Sequence, residues 1–434
     1  MPGDASFPSP ADAGREMYEL IRELFPICRS ITGDGLRQTL EIISRRIPLA
    51  VREVPSGTPV FDWVIPREWN IRDAYVRKAR GEKIIDFQQS NLQVLNYSVP
   101  INRTMPLAEL KEHLFSLPDR PDWIPYRTAY YRENWGFCLP HTQLQALEEG
   151  NYEVRIDSTL ADGSLTYGEY LLPGEREEEV LISCHTCHPS LANDNLSGVS
   201  LAVKLAESLG RGPRRFSYRF LFIPGTIGAI TWLCLNEPEV VKIKNGLVLT
   251  GVGDSGKIIY KKSRRGDAAI DRAAVQALRD SGDPFEVRDF HPYGYDERQY
   301  CSPGFNLPVG RFSRTPYGEY PEYHTSADNL DFVKTDALAE SFSQVLSLLR
   351  ILEANRFYRN RCPKGEPQLG KRGLYAAPGI DELALLWVLN LSDGGYDLLA
   401  IAERSGLEFG RVARAAAQLK ESGLLEEVPD RGAH

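Results

Sequence analysis

The chain has 434 residues, of which 42% are hydrophobic and 25% charged, a composition typical of a globular protein with a large core. At about 150 residues per domain, this length predicts two or three domains. The net charge of −8 disfavours a nucleic-acid partner, because polyanions are attracted to basic surfaces.

The cysteines and the apolar runs indicate the cellular compartment of the protein. Seven cysteines, an odd number scattered along the chain, favour reduced thiols over a disulfide framework. The first residues lack the basic and apolar segments of a signal peptide, and no stretch approaches the roughly 18 apolar residues that span a bilayer. We therefore expect a soluble cytoplasmic protein without a membrane partner.

The first 151 residues change character partway along. Apolar residues recur at helical spacing over 11–44, with a loop and a new helix start at 30–35. Residues 52–151 are instead rich in Pro, Trp and Tyr and contain short β-like runs, for example 91–98. This segment is predicted to be an inserted β-rich subdomain.

From residue 152 onward, buried strands alternate with helices, which predicts an α/β protein with a largely parallel, doubly wound sheet. The predicted strands are 152–156, 165–172, 179–183, 219–223, 246–250 and 307–312. The predicted helices are 198–209, a helix through Cys234, 268–281 and 335–355.

A tail follows a linker rich in Pro, Gly and basic residues at 361–372. Helices at 396–405 and 408–422, then a strand at 424–428, are typical of a winged helix-turn-helix. Its second helix carries Arg411, Arg414 and Lys420, but acidic residues outnumber basic ones in the tail, which favours a packing or dimerisation role over DNA binding. The predicted domains are 1–51 with 152–360, 52–151, and 373–434.

Two polar loops that each join a strand to a helix carry the strongest chemical signal. His185, His188 and Asp194 lie in the first loop, and His324 lies in the second, at 322–330. Histidine and carboxylate at a strand end, with a third ligand from elsewhere in the chain, are typical of zinc sites. A single histidine is more often an ordinary surface or core residue, but two such loops together predict a metal centre.

The segment Cys184-His-Thr-Cys-His188 also fits the pattern for covalent haem attachment. That attachment requires export, and no export signal is predicted, so we do not favour haem. The two cysteines could instead bind zinc, but no second cysteine pair completes a four-cysteine site.

The loop ending in Ala192-Asn-Asp-Asn-Leu-Ser-Gly198, with the later Tyr323-His-Thr325, resembles the zinc aminopeptidases of the M28 clan. More closely, the whole chain resembles the DUF4910 family. Further motifs that carry this resemblance are Ile124-Pro-Tyr-Arg-Thr-Ala-Tyr-Tyr131, Trp135-Gly-Phe-Cys138, Asp296-Glu-Arg-Gln-Tyr-Cys-Ser-Pro-Gly304 and Gly370-Lys-Arg-Gly-Leu-Tyr375. It implies a doubly wound mixed sheet of the zinc aminopeptidase type, with an insert before the catalytic sheet and a C-terminal winged helix.

The resemblance also implies a ligand set. Asp194 matches the metal-binding aspartate and His324 the last histidine. His188 is favoured as the first histidine, and His185 is kept as a neighbouring group or as a ligand of a second metal. Because the clan's other ligands correspond to Thr226 and a position near Thr250, one Zn²⁺ is expected.

The clan's general base is a glutamate at a position that corresponds to Gly225. Three explanations remain: a deliberate Glu-to-Gly change made to trap a complex, a natural loss of hydrolysis with binding retained, or a base supplied by another carboxylate. The alternative bases are Glu322, Asp296 and Glu297. Losing a general base typically costs a factor of about 10²–10⁴ in rate.

If the protein is active, Asp296 or Glu297 could bind a substrate amine, and Tyr323, Tyr320 or Arg298 could stabilise an oxyanion. A loop ion pair for the charged residues, and ordinary packing for the tyrosines, are equally reasonable interpretations. The aromatic insert is expected to wall one side of the cleft.

These observations lead to three hypotheses for the function. The first is a zinc-dependent hydrolase of an N-terminal amino acid or a small amide, acting on a short peptide or small molecule. The second is a non-hydrolytic metal-binding pseudoenzyme that recognises an aminoacyl ligand, and the third, well behind, is a DNA-binding regulator. The insert and the tail both offer surfaces for a homo-oligomer.

Overall fold

The computed structural model describes residues 8–78, 81–375 and 378–429. The chain folds into two compact units, Met1–Arg265 with Arg288–Phe342, and Gly266–Val287 with Ser343–His434. In the described ranges, no helix combines the length and the apolar character needed to cross a membrane.

The α-helices, in chain order, are α1 (Pro10–Leu24), α2 (Asp34–Ser44), α3 (Leu107–Leu110), α4 (His141–Gln145), α5 (Gly198–Leu209), α6 (Ile227–Leu235), α7 (Ala269–Ser281), α8 (Glu297–Tyr300), α9 (Thr335–Ala354), α10 (Glu382–Leu391), α11 (Leu398–Ser405) and α12 (Phe409–Glu421). The predicted helices at 198–209, 268–281, 335–355 and 408–422 are confirmed within one or two residues at each end.

The strands are β1 (Ala50–Pro55), β2 (Pro59–Val60), β3 (Trp63–Val64), β4 (Glu68–Lys78), β5 (Lys83–Asp86), β6 (Ile101–Pro106), β7 (Leu114–Phe115), β8 (Phe137–Cys138), β9 (Asn151–Ala161), β10 (Ser164–Leu172), β11 (Glu179–His185), β12 (Ser217–Ile223), β13 (Ile243–Leu249), β14 (Ile258–Lys261), β15 (Phe285–Arg288), β16 (Val309–Ser313), β17 (Phe357–Asn360), β18 (Asp393–Asp397) and β19 (Leu425–Val428).

The main sheet of the first unit is mixed. Its seven strands run in the order β1-β10-β12-β11-β13-β16-β14. The pairs among β12, β11, β13 and β16 are parallel, whereas β1, β10 and β14 join antiparallel at the two sides. The predicted doubly wound mixed sheet is therefore confirmed, and its four parallel strands end at one edge.

The central parallel strands are rich in apolar residues, and the charged pair Arg219–Glu179 on them is buried as an ion pair. Every residue of β11 and of β12 is buried, as expected for strands covered on both faces. Helix α5 packs against the neighbouring strands β11, β12 and β13. It begins at Gly198, where a Cβ atom would lie 2.4 Å from the carbonyl oxygen of Leu249, so only glycine permits this approach.

The insert forms a separate four-stranded antiparallel sheet in the order β5-β4-β9-β6. The prediction that 152–156 begins the parallel sheet is wrong, because β9 belongs to this sheet. Its residues alternate between buried and exposed, which suits an antiparallel sheet with one solvated face. Residues 91–98 also differ from the prediction, since Asn91–Gln93 form a 3₁₀ turn and only isolated bridges follow.

The second unit contains the three-stranded sheet β18-β17-β19 and helices α10, α11 and α12. Strand β17 precedes the linker at 361–372 yet pairs with both β18 and β19. Arg272 of α7 holds this unit together through ion pairs with Asp397 and Glu403, at 3.1 and 2.7 Å.

Candidate metal centre

The polar loops of the first unit meet at the carboxyl edge of the parallel strands. Strand β11 ends at His185, β12 is followed by Pro224, Gly225 and Thr226, and β16 leads into the loop that carries His324. Such an edge gathers side chains from distant parts of the chain, which is why open α/β sheets bind ligands there.

Asp194 lies at the centre of three imidazoles. Its Oδ1 is 2.8 Å from Nε2 of His185, and its Oδ2 is 3.1 Å from Nε2 of His324 and 3.9 Å from Nε2 of His188. His185, His188 and Asp194 each offer a ligand atom within 4.8 Å of the others. The four residues singled out from the sequence are thus brought together.

The donor atoms fit a cation. Asp194 Oδ2 and His324 Nε2 are both buried, and neither has a hydrogen-bond partner in the described chain despite their short separation. Two donor atoms that face each other without bonding are the arrangement expected of ligands to a shared ion. By contrast, Nε2 of His185 already bonds Oδ1 of Asp194, so His185 is better placed to orient the carboxylate.

Protonation at the centre also suits a metal. Burial holds the pKa of His188 well below its ordinary value, which keeps the imidazole neutral. Burial would raise the pKa of Asp194, but His188, His185 and His324 outweigh that effect and hold it well below its usual range. Neutral histidine and ionised aspartate are the forms that bind Zn²⁺.

Two buried residues that the sequence analysis missed hold the ligand loops. Asp328 accepts the backbone N–H groups of Asn193 and Asp194, at 2.6 and 2.9 Å, and burial raises its pKa to about 8. Arg29 donates its Nε–H to the carbonyl oxygen of His188 at 2.8 Å. Asp328 lies in the loop at 322–330, but no local signal distinguishes either residue from its polar neighbours.

Backbone conformation at the site is unusual. His324 and Thr226 have φ angles of 55° and 63°, a region that residues with a side chain rarely adopt. The insert supports the first of them, since the Tyr126 N–H donates to the carbonyl oxygen of His324 at 2.7 Å. Strain of this kind is found at ligand sites, where the surrounding structure holds it in place.

Aromatic rings pack around the imidazoles. Tyr323 stacks on His324 at 3.9 Å between ring centroids, and Tyr295 stacks on His185 at 5.5 Å. Tyr126 contacts both His188 and His324. The sequence analysis did not select Tyr126 or Tyr295, because aromatic residues in a chain of this composition are far more often ordinary core residues.

A cavity of about 370 Å³ opens beside the centre. Its lining includes three aromatic residues of the insert, Trp63, Tyr130 and Tyr131, which form part of its wall as expected. The other lining residues are His185, Cys187, His188, Gly225, Thr226, Gly294, Tyr295, Asp296, Arg298 and Tyr323.

Asp296 is the buried carboxylate among the lining residues that carries a free oxygen. Its Oδ1 accepts the Thr226 N–H at 2.6 Å, whereas its Oδ2 has no hydrogen-bond partner among the described residues. Burial raises the pKa of Asp296, although His185 opposes the shift. A carboxylate with a raised pKa is a stronger base than a fully solvated one.

The other predicted site residues occupy different places. Glu297 is fully buried and lies 2.7 Å from Lys261 Nζ, so its ion pair is with β14 rather than within the loop. Neither Glu322 nor Tyr320 is among the residues that line the cavity, and Tyr320 stacks on Phe332. Tyr323 and Arg298 do line it.

Gly225 leaves room in the wall. A Cβ atom added there would lie 3.6 Å from Cys187 Sγ and 3.6 Å from His185 Cβ, which are ordinary van der Waals contacts. A Cβ atom at this position therefore fits without displacing its neighbours, and glycine is not required by its contacts there.

Two of the three basic residues of helix α12 form ion pairs within the second unit. Arg411 pairs with Asp381 at 2.7 Å and Lys420 with Glu427 at 2.9 Å. Side chains engaged in this way are poorly placed to bind phosphates, which agrees with the acidic composition of the tail.

Comparisons with known proteins identify the family of the chain and its fold. The family described as "Domain of unknown function (DUF4910)" matches residues 18–355, and a winged helix-turn-helix family (HTH_47) matches 356–427. A relative from Clostridium acetobutylicum named "Putative polysaccharide biosynthesis protein with aminopeptidase-like domain" is 53% identical over 424 residues, covering 96% of this chain and 98% of the relative.

Solved structures share the fold. A crystal structure from Clostridium acetobutylicum superimposes with a TM-score of 0.94 at 53% identity, covering 96% of this chain and 97% of that one. BSAP, a zinc aminopeptidase from Bacillus subtilis, gives 0.57 at 14% identity, covering 78% and 94%. A peptidase M28 precursor from Shewanella amazonensis gives 0.54 at 13% identity, covering 79% and 95%. The first unit therefore has the fold of M28-type aminopeptidases.

Proposed function

Because the chain belongs to the DUF4910 family and carries an aminopeptidase-like domain, we propose that it is a zinc-dependent hydrolase of an N-terminal amino acid or a small amide. The observation that carries this proposal is the convergence of His188 and His324 on the buried carboxylate of Asp194. Asp194 and His324 lie 130 residues apart in the chain. Their facing atoms, Oδ2 and Nε2, are buried without a hydrogen-bond partner among the described residues, and a shared ligand would account for that burial.

We assign one zinc ion to His188, Asp194 and His324, with His185 orienting Asp194. Three protein ligands leave a position for substrate, as in catalytic zinc sites. When bound, zinc supplies Lewis acidity, which polarises a carbonyl group and acidifies water. A second ion is not proposed, because Thr226 and Thr250 correspond to the positions of the clan's additional ligands and a threonine is a poor zinc ligand.

Asp296 is proposed as the general base in place of the missing glutamate. Its Oδ2 is free, buried and in the wall of the cavity, whereas Glu297 is paired with Lys261. This carboxylate would accept the proton of the attacking water and return it to the leaving amine. Glu322 is not preferred, because it does not line the cavity.

Tyr323 is proposed to donate a hydrogen bond to the developing oxyanion. It lines the cavity and stacks on His324. Burial raises its pKa well above the usual value, so the hydroxyl keeps its proton and can act as a donor.

A small amide is preferred to a long peptide as the substrate. The cavity of about 370 Å³ lies at the lower end of the range for small-molecule pockets. The name of the 53% identical relative refers to polysaccharide biosynthesis, which also favours a biosynthetic intermediate over protein degradation. The zinc ion and the cytoplasmic location are likewise part of this proposal.

The second candidate is a pseudoenzyme that binds an aminoacyl ligand without cleaving it. Gly225 favours this function, since it stands where the resemblance implies a catalytic glutamate. A DNA-binding regulator is the third candidate function. The ion pairs of Arg411 and Lys420 on α12 argue against it.

Metal content and turnover separate the first two functions. The zinc-loaded chain would be assayed with panels of aminoacyl 4-nitroanilides and N-acetyl amino acids, beside Asp194→Asn and Gly225→Glu. Hydrolysis by the unmodified chain that is lost in Asp194→Asn supports the hydrolase. Zinc binding with no turnover in either the unmodified chain or Gly225→Glu rejects it and leaves the pseudoenzyme.

A further inference from the structure

We propose that Arg298 forms an anion subsite of the cavity, so that the substrate carries a carboxylate beside its amide bond. This inference rests on the proposed function and narrows its substrate class. It favours N-acylated amino acids over peptides with a free, cationic N-terminus.

Arg298 is a cation without a counter-ion. It lines the cavity, and its one hydrogen bond within the described residues is long, 3.4 Å from Nη2 to Oγ1 of Thr226. Its Nε is buried without a hydrogen-bond partner in the described chain. Across the same residues, no carboxylate oxygen lies within ion-pair distance of its guanidinium, and a half-buried charge in this state is costly unless a ligand supplies the partner.

Arg219 and Arg314, two buried arginines of the first unit, have such partners. Arg219 pairs with Glu179 at 2.6 Å and also with Glu169, and Arg314 pairs with Glu340. Arg29 is buried too, and it donates to the carbonyl oxygens of Leu24 and His188 instead. Arg298 has neither a carboxylate nor a carbonyl partner among the described residues, at a place where small molecules can enter.

The nearby carboxylates are engaged except for Oδ2 of Asp296. Asp296 accepts the Thr226 N–H through Oδ1, and Glu297 is paired with Lys261. If Asp296 serves as the base, no free carboxylate among the lining residues remains to bind a substrate ammonium group. The cavity thus lacks the acidic partner that a free N-terminus would need.

A second arginine adds to the positive field. Arg311 is buried on β16, with its guanidinium carbon 5.6 Å from the ring centroid of Tyr295, which lines the cavity. No carboxylate pairs with it among the described residues either. The guanidinium groups of Arg298 and Arg311, which have no carboxylate partner, attract an anion and repel an ammonium group. The positive charge therefore favours N-acylated amino acids over peptides with a free N-terminus.

The shape of the Arg298 guanidinium also favours a carboxylate as the bound anion. A guanidinium presents its donors in a planar fork that matches the two oxygens of a carboxylate. Tyr293 lies under the Arg298 guanidinium at 5.9 Å and restricts its orientation. A lysine would supply the charge without this geometry.

Binding to the zinc-loaded full-length chain would be measured by calorimetry with matched pairs of N-acetyl amino acids and their C-terminal primary amides. We expect the free carboxylates to bind about 10- to 100-fold more tightly, as for a charge-assisted hydrogen bond. Arg298→Gln should remove the preference, and Arg298→Lys should keep part of it. Arg103→Gln, an exposed change on β6, is the matched control and should keep all of it.

Equal binding of acid and amide by the unmodified chain, binding of neither, or an undiminished preference in Arg298→Gln would overturn the anion subsite. The comparison of acid with amide needs no variant, so it holds even if Arg298→Gln does not fold. Cleavage of the acetyl amide is followed separately by NMR. A carboxylate preference without cleavage supports the anion subsite and rejects the hydrolase. Cleavage without a carboxylate preference supports the hydrolase and rejects the anion subsite.

Discussion

Asp328 accepts the backbone N–H of Asp194 at 2.9 Å, so one buried carboxylate fixes the position of another. The second carboxylate is the one on which three imidazoles converge. Through its hydrogen bonds to the backbone of Asn193 and Asp194, Asp328 positions the loop that carries Asp194. Groups that orient metal ligands in this way are commonly as important as the ligands themselves.

Replacing Asp328 by asparagine should weaken zinc binding by about 10- to 100-fold, because the amide nitrogen cannot accept the N–H that the lost oxygen accepted. Competition with a chromophoric chelator measures the dissociation constant. Asp331→Asn, an exposed change in the same loop, is the control and should leave it unchanged. An Asp328→Asn chain that binds zinc as tightly as the unmodified chain would show that the loop holds its shape without this carboxylate.

His188 and His185 should differ in their importance for the metal. His188→Ala and His324→Ala should each abolish stoichiometric zinc after dialysis, since each removes a ligand. His185→Ala should retain zinc with an affinity reduced about 10- to 100-fold, because His185 only orients Asp194. Elemental analysis by mass spectrometry gives the zinc content. The reverse order of effects would make His185 the ligand.

Asp296→Asn should lower kcat by about 10²–10⁴-fold, the usual contribution of a general base. Adding Gly225→Glu to that variant should restore part of the rate, because position 225 accepts a Cβ atom and lines the same cavity, so that the new carboxylate can serve as the base. The matched control is Asp296→Asn with Gly225→Ala, which fills the space without the charge and should restore nothing. An Asp296→Asn chain with an unchanged kcat would exclude this residue as the base.

Glu68 should contribute stability that depends on pH. It accepts hydrogen bonds from Arg37 at 2.6 and 2.8 Å and from the Ser164 N–H at 2.9 Å, and the Arg37 hydrogen bonds lower its pKa from 4.5 to about 2. A depressed carboxyl pKa stabilises the folded state above the unfolded value of 4.5, and this contribution is lost as the pH falls toward 2.

Glu68→Gln should therefore lower the free energy of unfolding by about 1–3 kcal/mol at pH 7, and by less at pH 3. Urea denaturation at the two pH values measures the difference. Glu41→Gln, which breaks an exposed pair with Arg45, should change it by less than about 0.5 kcal/mol at either pH. An equal loss for Glu68→Gln at both pH values would show that the ionised carboxylate is not the cause.

Local patterns predicted the regular elements well where apolar spacing was unambiguous. The amphipathic run at 198–209 became α5, and the apolar run at 219–223 became part of β12. The pattern was less informative at 152–156, because a short alternating strand can join any sheet that offers it an edge. Which sheet it joins depends on strands elsewhere in the chain.

The sequence by itself determined that polar loops follow buried strands, and that His188, Asp194 and His324 lie in those loops. It also identified Gly225, Asp296, Arg298 and Tyr323, all of which line one cavity. Strand ends are readable from the sequence because burial on both faces requires an apolar run that stops where the strand stops.

Only the tertiary structure decided that Nε2 of His324 lies 3.1 Å from Asp194, that Asp328 and Arg29 support the ligand loops, and that Trp63 reaches the same cavity. These contacts join residues far apart in the chain, and no local periodicity encodes them. They follow from the order of the parallel strands, which brings the loops to one edge, and from the fit of the insert against that edge.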